Sequence, residues 1–506
     1  MAVGVRNASE IVSIGRRSSV RHTLALAALG LGASAAAQAA EPPVARFVIA
    51  VGHNEAPDRP ALRYADDDAA RMFEILSPGA ELAVLHTAFD AESQPIFAEL
   101  RAVAAPPTRA AVIATLARVT ERAAAARRAG RRTELFFYHA GHGDVDDGQG
   151  HVFLADGRLD GAMLETHLLE APERPDRVHL AVDACKSYFL VAGRGPGTTT
   201  RQPAPVAFAG PVRRPGVGYL LSTSSDADAH EWGAVGGGVF SHLLRSALLG
   251  GADADLDARV TYDEVGAFMG AATEGVTAGP FRPDVFVRPP PEDARAALGT
   301  PAAMALTPLR IEAAEAGRLL IVDERGLRFA EAHKAAGTPL MVWLAGPRRY
   351  EVRFAGRRYA VEARGAPLVL SEAGRLPEGD VVATRGEAWR ALEGLYREPF
   401  SPDIVRGYRL GHDDAAAGAS LPGPVPPAED TGLTAGLLGG GALFLAGGVV
   451  LAVLAADAHA DAAGATQRAR ADLTDRGNAL TYGAGTAFVL GAAALGWGLW
   501  RGVERP

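Results

Sequence analysis

The sequence predicts an α/β protein, a parallel-sheet sandwich covered by helices on both faces, followed by a small β-rich domain and two transmembrane helices. Three observations predict it. Between Ala45 and Val287 short apolar runs alternate with helical stretches, as in βαβ units. Beyond the linker Arg288-Pro289-Pro290-Pro291, short alternating segments are separated by Gly-containing turns. Near the C-terminus two long stretches carry no charge at all.

Taken in order, residues 1–40 read as an export signal. Arg16, Arg17 and Arg21 precede the apolar run Leu24 to Ala37, and Ala37-Gln38-Ala39 offers a small-residue cleavage site. A domain over 44–288 follows, with strands expected at 46–51, 81–86, 134–138, 178–182 and 217–222. Helices are expected near 66–76, 108–128, 160–169 and 238–249, and 151–154 is too short and too close to its neighbour for anything but an antiparallel ribbon. Between 191 and 216 a loop rich in Gly, Pro and Arg predicts exposure. The β-rich domain spans 300–410, with strands at 318–322, 340–344, 350–354 and 357–362, and reads as a small sandwich-like module.

A linker at 411–430 leads to a hairpin over 431–500, whose charge-free stretches 431–456 and 477–500 each exceed the roughly 20 residues that span a bilayer. Glycines and alanines at four-residue spacing, Gly432, Gly436 and Gly440, then Gly483, Ala487 and Gly491, predict close helix packing. Arg468, Arg470 and Arg476 in the connection place it inside the cell. The expected location is therefore a membrane, the inner one, with the 44–288 domain exported to the periplasmic side.

Composition narrows the function. Of 51 basic residues 49 are Arg, a bias that reads as genome composition rather than phosphate recognition. The net charge is −8 and no basic block occurs, which argues against a nucleic-acid partner. There is one cysteine, Cys185, so neither an intrachain disulfide nor a Cys-based metal site can form. A buried inert thiol and a nucleophile are the two readings of that position.

The chemistry gathers at the ends of two apolar runs, Glu134-Leu135-Phe136-Phe137-Tyr138-His139-Ala140-Gly141-His142-Gly143 and Val178-His179-Leu180-Ala181-Val182-Asp183-Ala184-Cys185. In an open α/β sheet reactive groups collect beyond the carboxyl ends of the strands. Neighbouring strands would bring His142 and Cys185 together as base and nucleophile.

These residues resemble a known family. Tyr138-His139-Ala140-Gly141-His142-Gly143 is similar to the Tyr-x-x-Gly-His-Gly block of caspase-like cysteine peptidases. Asp183-Ala184-Cys185 resembles the Asp-Ser/Ala-Cys block of their bacterial and metacaspase-type branch. Ala61 to Ala69 and Leu221 to Ser241 are similar to two further blocks, so the resemblance runs over about half of the chain in the usual order.

The resemblance implies a caspase-like fold and a cysteine endopeptidase with Cys185 and His142 as the catalytic pair, His139 being structural. Backbone N–H groups of Gly143 and Cys185 would form the oxyanion site. Asp183 and Asp68 match positions that line the pocket for the side chain before the cleaved bond, and two carboxylates there would select Arg or Lys. The plainer alternatives are that Asp68 caps its helix and Asp183 anchors a loop. Cleavage of the 191–216 loop by the enzyme itself, at Arg201 or Arg213, and an uncut surface loop both fit. After Cys185 the chain reads Lys186-Ser187-Tyr188-Phe189, where many relatives place a glycine just after the serine, so a catalytically silent signalling or scaffold module is the alternative function.

No cofactor is required for this chemistry, but calcium is a candidate. Asp253, Asp255, Asp257 and Glu264 fall at positions one, three, five and twelve of an EF-hand-type loop, with Ala258 where glycine normally turns the chain. An acidic turn capping the next helix is the other reading. The expected partners are a peptide or protein substrate and the membrane.

Overall fold

The apolar runs of the first half pair side by side. The computed structural model describes residues 43–146, 149–184, 214–222, 231–233, 236–276, 282–283, 285–377 and 394–409, all within Met1–His412, the first of two units into which the chain divides. Outside the described residues fall the export segment, Cys185 with almost all of the 191–216 loop, the linker and the two charge-free stretches.

The main sheet is built from β1 (Val44–His53), β2 (Leu82–Thr87), β3 (Arg132–Gly141), β7 (Arg177–Asp183), β8 (Val217–Ser222) and β12 (Val285–Arg288) in the order β12-β8-β7-β3-β1-β2. Neighbours among β1, β2, β3, β7 and β8 pair in parallel. Both faces are apolar, as an all-parallel core requires. Val48, Ala50, Phe136, Tyr138, Ala181 and Leu220 face helices α1 (Ala65–Leu76), α4 (Val239–Ser246) and α5 (Tyr262–Thr273). Phe47, Ile49, Leu135, Phe137, Leu180, Val182 and Leu221 face α2 (Arg109–Arg128) and the short α3 (Gly161–Leu164). Each such aliphatic or aromatic side chain contributes about 2 kcal/mol by leaving water. Thr108 caps α2 by accepting the Ala111 N–H at 3.3 Å, and Gly130, with φ of 75°, turns the chain away after it.

Past β3, an antiparallel ribbon of β4 (Gly143–Asp146), β5 (Gln149–Leu154) and β6 (Gly157–Asp160) forms three strands where one short ribbon was expected. Two short antiparallel pairs follow in the chain, β9 (Glu231–Trp232) with β10 (Gly237–Gly238) and β11 (Val260–Thr261) with β13 (Ala297–Gly299). Beyond β12 come two more sheets. One holds β15 (Gly317–Asp323), β16 (Arg328–Lys334), β18 (Arg348–Phe354), β19 (Arg357–Ala363) and β21 (Gly374–Arg375), the other β14 (Thr307–Ile311), β17 (Leu340–Leu344) and β20 (Leu368–Val369). The turn between β18 and β19 puts Ala355 and Gly356 at φ of 48° and 77°, the double positive φ of a tight hairpin.

Three features correct the predicted fold class. The main sheet is mixed, because β12 runs antiparallel to β8, and several smaller sheets accompany it. The β-rich part does not stand apart. Leu309, Ile311, Leu319, Ile321, Val342 and Val352 join one continuous core with Leu243, Leu244, Val265 and Phe268 of α4 and α5. Finally, no helix among the described residues is long and apolar enough to cross a membrane. The transmembrane element of the fold class and the inner-membrane, periplasm-facing location therefore gain no support from the described residues, and the stretches 431–456 and 477–500 on which they rested lie outside them.

Candidate active site

The register of the parallel strands sets the level of the site. Ala140 of β3 lies opposite Asp183 of β7. In the sequence His142 comes two residues after Ala140 and Cys185 two residues after Asp183, so the described ends of the two adjacent strands stand at one level. Cys185 itself is outside the described residues.

His142 is 7% exposed. Its Nε2 donates to the Pro60 carbonyl at 3.0 Å. A carbonyl only accepts, so the neutral ring carries its proton on Nε2 and Nδ1 is the basic nitrogen. Pro60 belongs to the connection from β1 to α1, which Asn54 organises. Its Oδ1 accepts Ala65 N–H at 2.9 Å, and its Nδ2 donates to Asp66 at 2.9 Å. Arg59 fastens the same connection to the other side of His142, donating to the Gly143 carbonyl at 3.3 Å and pairing with Asp144. Gly141 stands at φ of 155°, and a Cβ there would meet the His53 carbonyl at 2.8 Å, so only glycine lets the chain turn into His142. His139 is fully buried; burial, then nearby His53, pushes it down to about 3, so it stays neutral and unsuited to act as a base.

Asp68 and Asp183 come together around Gly238. A Cβ on that glycine would lie 2.7 Å from Asp183 Oδ2 and 3.2 Å from Asp68 Oδ2. Asp68 does not cap α1, whose N-cap position is Tyr64, and is 2% exposed. Its Oδ2 accepts the Gly238 N–H at 2.6 Å and its Oδ1 accepts from Arg245 at 2.8 Å. Asp183 accepts the Ser241 hydroxyl, and Ser241 Oγ meets the Tyr138 hydroxyl at 2.5 Å. Burial, with Asp68 and Glu231 close by, holds Asp183 up to about 7 against the lowering effect of the Ser241 bond. Glu231, on β9, accepts the backbone N–H groups of Arg63 and Tyr64 at 2.9 and 2.8 Å, and burial raises its pKa too. Asp68, Asp183 and Glu231 thus lie near one another, Asp68 is paired with Arg245, and Arg71 stands behind Gly237.

Sequence reasoning missed Pro60, Arg59, Glu231, Ser241 and Arg245. Ser241 and Arg245 lie four residues apart and so share a helix face, a spacing that could have marked them. The backbone N–H of Gly143 opens β4, beside His142. In the acidic loop, Asp253, Asp255 and Asp257 converge, each with a carboxylate oxygen within 4.8 Å of the others. Glu264 instead forms a capping box with Thr261 at the start of α5.

No protein-family model matches this sequence, and no curated protein matches it. Among solved structures the chain is similar to one described as the structure of pro-sf-caspase-1. The two are 10% identical, the TM-score is 0.22, and the match covers 38% of this chain and 64% of that one. The chain therefore spans less than two thirds of that protein. At this identity and TM-score the likeness carries no argument about fold or activity.

Proposed function

We propose that the protein is a cysteine endopeptidase that acts through Cys185 and His142 and prefers Arg or Lys before the cleaved bond. The single observation that supports it is the β3–β7 register, which brings the exits leading to His142 and Cys185 to one level. His142 Nδ1 would take the Cys185 thiol proton, and the thiolate would attack the substrate carbonyl carbon. Negative charge would collect on the carbonyl oxygen, facing the N–H groups of Gly143 and Cys185. As the intermediate collapses the C–N bond breaks and the His142 imidazolium gives its proton to the leaving amine. Water, deprotonated by His142, would then attack the thioester and release the acid and the thiol.

The pocket reading draws on Asp183, Asp68 and Glu231. A guanidinium or ammonium entering beside Asp183 would meet a carboxylate that burial has made costly to ionise, so the substrate and the charge would stabilise each other.

A panel of fluorogenic peptides ending in Arg, Lys, Asp or Leu tests this with the full chain. Arg or Lys turnover that disappears in both Cys185→Ala and His142→Ala is the expected result. Silence across the panel, with slow alkylation of Cys185 that is unchanged by His142→Ala, would overturn the enzyme reading in favour of a non-catalytic module.

A further inference from the structure

A second concentration of negative charge lies away from the acidic pocket, on the loop joining α4 to α5. α4 continues into a wider turn, Ala247–Gly251, and the chain then runs through Asp253, Asp255 and Asp257 before Thr261 opens α5. Each of the three aspartates offers one oxygen within 4.8 Å of the other two. Oxygens bound to one Ca2+ lie on a sphere of about 2.3–2.6 Å radius, so ligands across it stand no more than about 5 Å apart. The three oxygens thus lie within the span of one such shell.

The independent observation concerns Asp253, which is 5% exposed. Its Oδ2 accepts the Ala258 N–H at 3.1 Å. Its Oδ1 is closed to solvent and has no hydrogen-bond donor among the described residues. A buried carboxylate oxygen without a donor is strongly destabilising, and no basic side chain forms an ion pair with these aspartates among the described residues. Lys334, which borders the same cleft as Asp253, is already engaged by the carbonyls of Ala313, Glu315 and Ala335. A cation held beside Asp253 would supply the partner that this oxygen lacks.

We propose that Asp253, Asp255 and Asp257 bind one Ca2+. The donors are all carboxylate oxygens, which suits a hard cation and not zinc or copper. Mg2+ demands a tight octahedron of about 2.0–2.1 Å radius and keeps most of its waters, so an open, three-carboxylate loop favours the larger ion. Glu264, at the twelfth position of the spacing, does not join the set. Its Oε2 accepts the Thr261 N–H at 2.9 Å and its Oε1 the Ala254 N–H at 3.2 Å. Water completes the shell, while Glu264 holds the loop against the first turn of α5 from behind.

The test is calcium titration of the chelator-treated full chain by calorimetry, with Tb3+ luminescence as a second probe. One site is expected, with Kd between about 1 µM and about 1 mM, the range of sensor and extracellular loops. Asp255→Asn and Asp257→Asn, both at exposed positions, are expected to weaken binding at least about tenfold while the calcium-free thermal midpoint stays unchanged. Asp403→Asn, an exposed carboxylate paired with Arg406, is the control and leaves binding intact. Absence of calcium binding up to about 10 mM, binding unaltered by both substitutions, or equal displacement by Mg2+ would overturn the proposal. Because the readout is binding, its outcome is separate from that of the peptidase assay.

Discussion

Replacing Asp183 by Asn should make the protein more stable and, if the peptidase reading holds, a poorer enzyme. The groups facing Asp183 are Ser241 and Arg245 on α4, Asp68 on α1, Tyr138 on β3 and Glu231. In the folded state its pKa is held up to about 7, against about 3.9 in an unfolded chain. The native state therefore keeps a proton that the unfolded state gives up between about pH 4 and 7, and stability contributed at this position falls as pH rises through that window. A rise of that size corresponds to about 4 kcal/mol; part exposure of the side chain screens this to about 2–4 kcal/mol. Asn removes the ionisation but weakens the charge-assisted bond from Ser241, worth about 1 kcal/mol. The net gain is about 1–3 kcal/mol at pH 8 and close to zero near pH 4. Urea midpoints of Asp183→Asn against the parent, both in a Cys185→Ala background and taken from pH 4 to 8, isolate this group because other titrations cancel. With Cys185 restored, kcat/KM on Arg peptides at pH 8 should fall about 10–100-fold, the worth of one charged hydrogen bond. A variant less stable than its parent at pH 8, or a stability gap that does not change with pH, would refute the buried-carboxylate reasoning.

Two further outcomes test the packing around the site. Glu74 on α1 accepts from Arg325 at 2.9 and 2.8 Å and from Arg348 at 3.3 and 3.0 Å; burial works to raise its pKa, but these bonds win and lower it. Its contribution is thus present above about pH 4.3 and lost as pH falls through the depressed folded value. Glu74→Gln should cost about 2–3 kcal/mol at pH 7 and little near pH 3, as read by denaturant midpoints; an equal loss at both would contradict the ion-pair account. Gly250 stands at φ of 100°, and a Cβ there would lie 2.3 Å from the Met341 carbonyl. Gly250→Ala should destabilise by about 2–4 kcal/mol in the same assay, and a loss under about 1 kcal/mol would mean that β17 does not rest on this turn.

What the sequence made legible came from local chemistry. The five parallel strands were readable because each is a short run of Val, Ile, Leu, Phe or Tyr bounded by turn residues, and His142 and Asp183 were readable because they end two of those runs. Among the strands that escaped, two show why. β14 contains Pro308, which argues against a strand except at an edge or bulge, and β16 reads Arg328-Phe329-Ala330-Glu331-Ala332-His333-Lys334, too polar for its burial. Glu331 and Lys334 are each about 5% exposed, held by partners far away in the chain. The site shows the same division. His142 reaches across 82 residues to Pro60, and Arg245 across 177 to Asp68, distances at which no local pattern speaks. The charge-free C-terminal stretches carried only a compositional signal for membrane spanning, and composition alone names no packing partner.

The short helix α4 explains why the β-rich sheets and the candidate pocket are parts of one structure. One side of it sends Ser241 to Asp183 and Arg245 to Asp68. Another sends His242 to Glu331 at 3.3 Å, and Ser246 Oγ accepts the Glu331 N–H at 3.0 Å, both on β16. All eight residues of α4 are buried, so the helix cannot turn to serve one side without disturbing the other. Glu331 is fully enclosed, and although burial raises its pKa, the bond from His242 and the nearby arginines lower it, so it stays charged where it touches α4. Arg71 and Glu74 of α1 make the parallel connection, one beside the pocket glycines and the other to Arg325 and Arg348. The helices that place Asp68 and Asp183 are therefore held in part by contacts made more than 80 residues later in the chain, from the β-rich part.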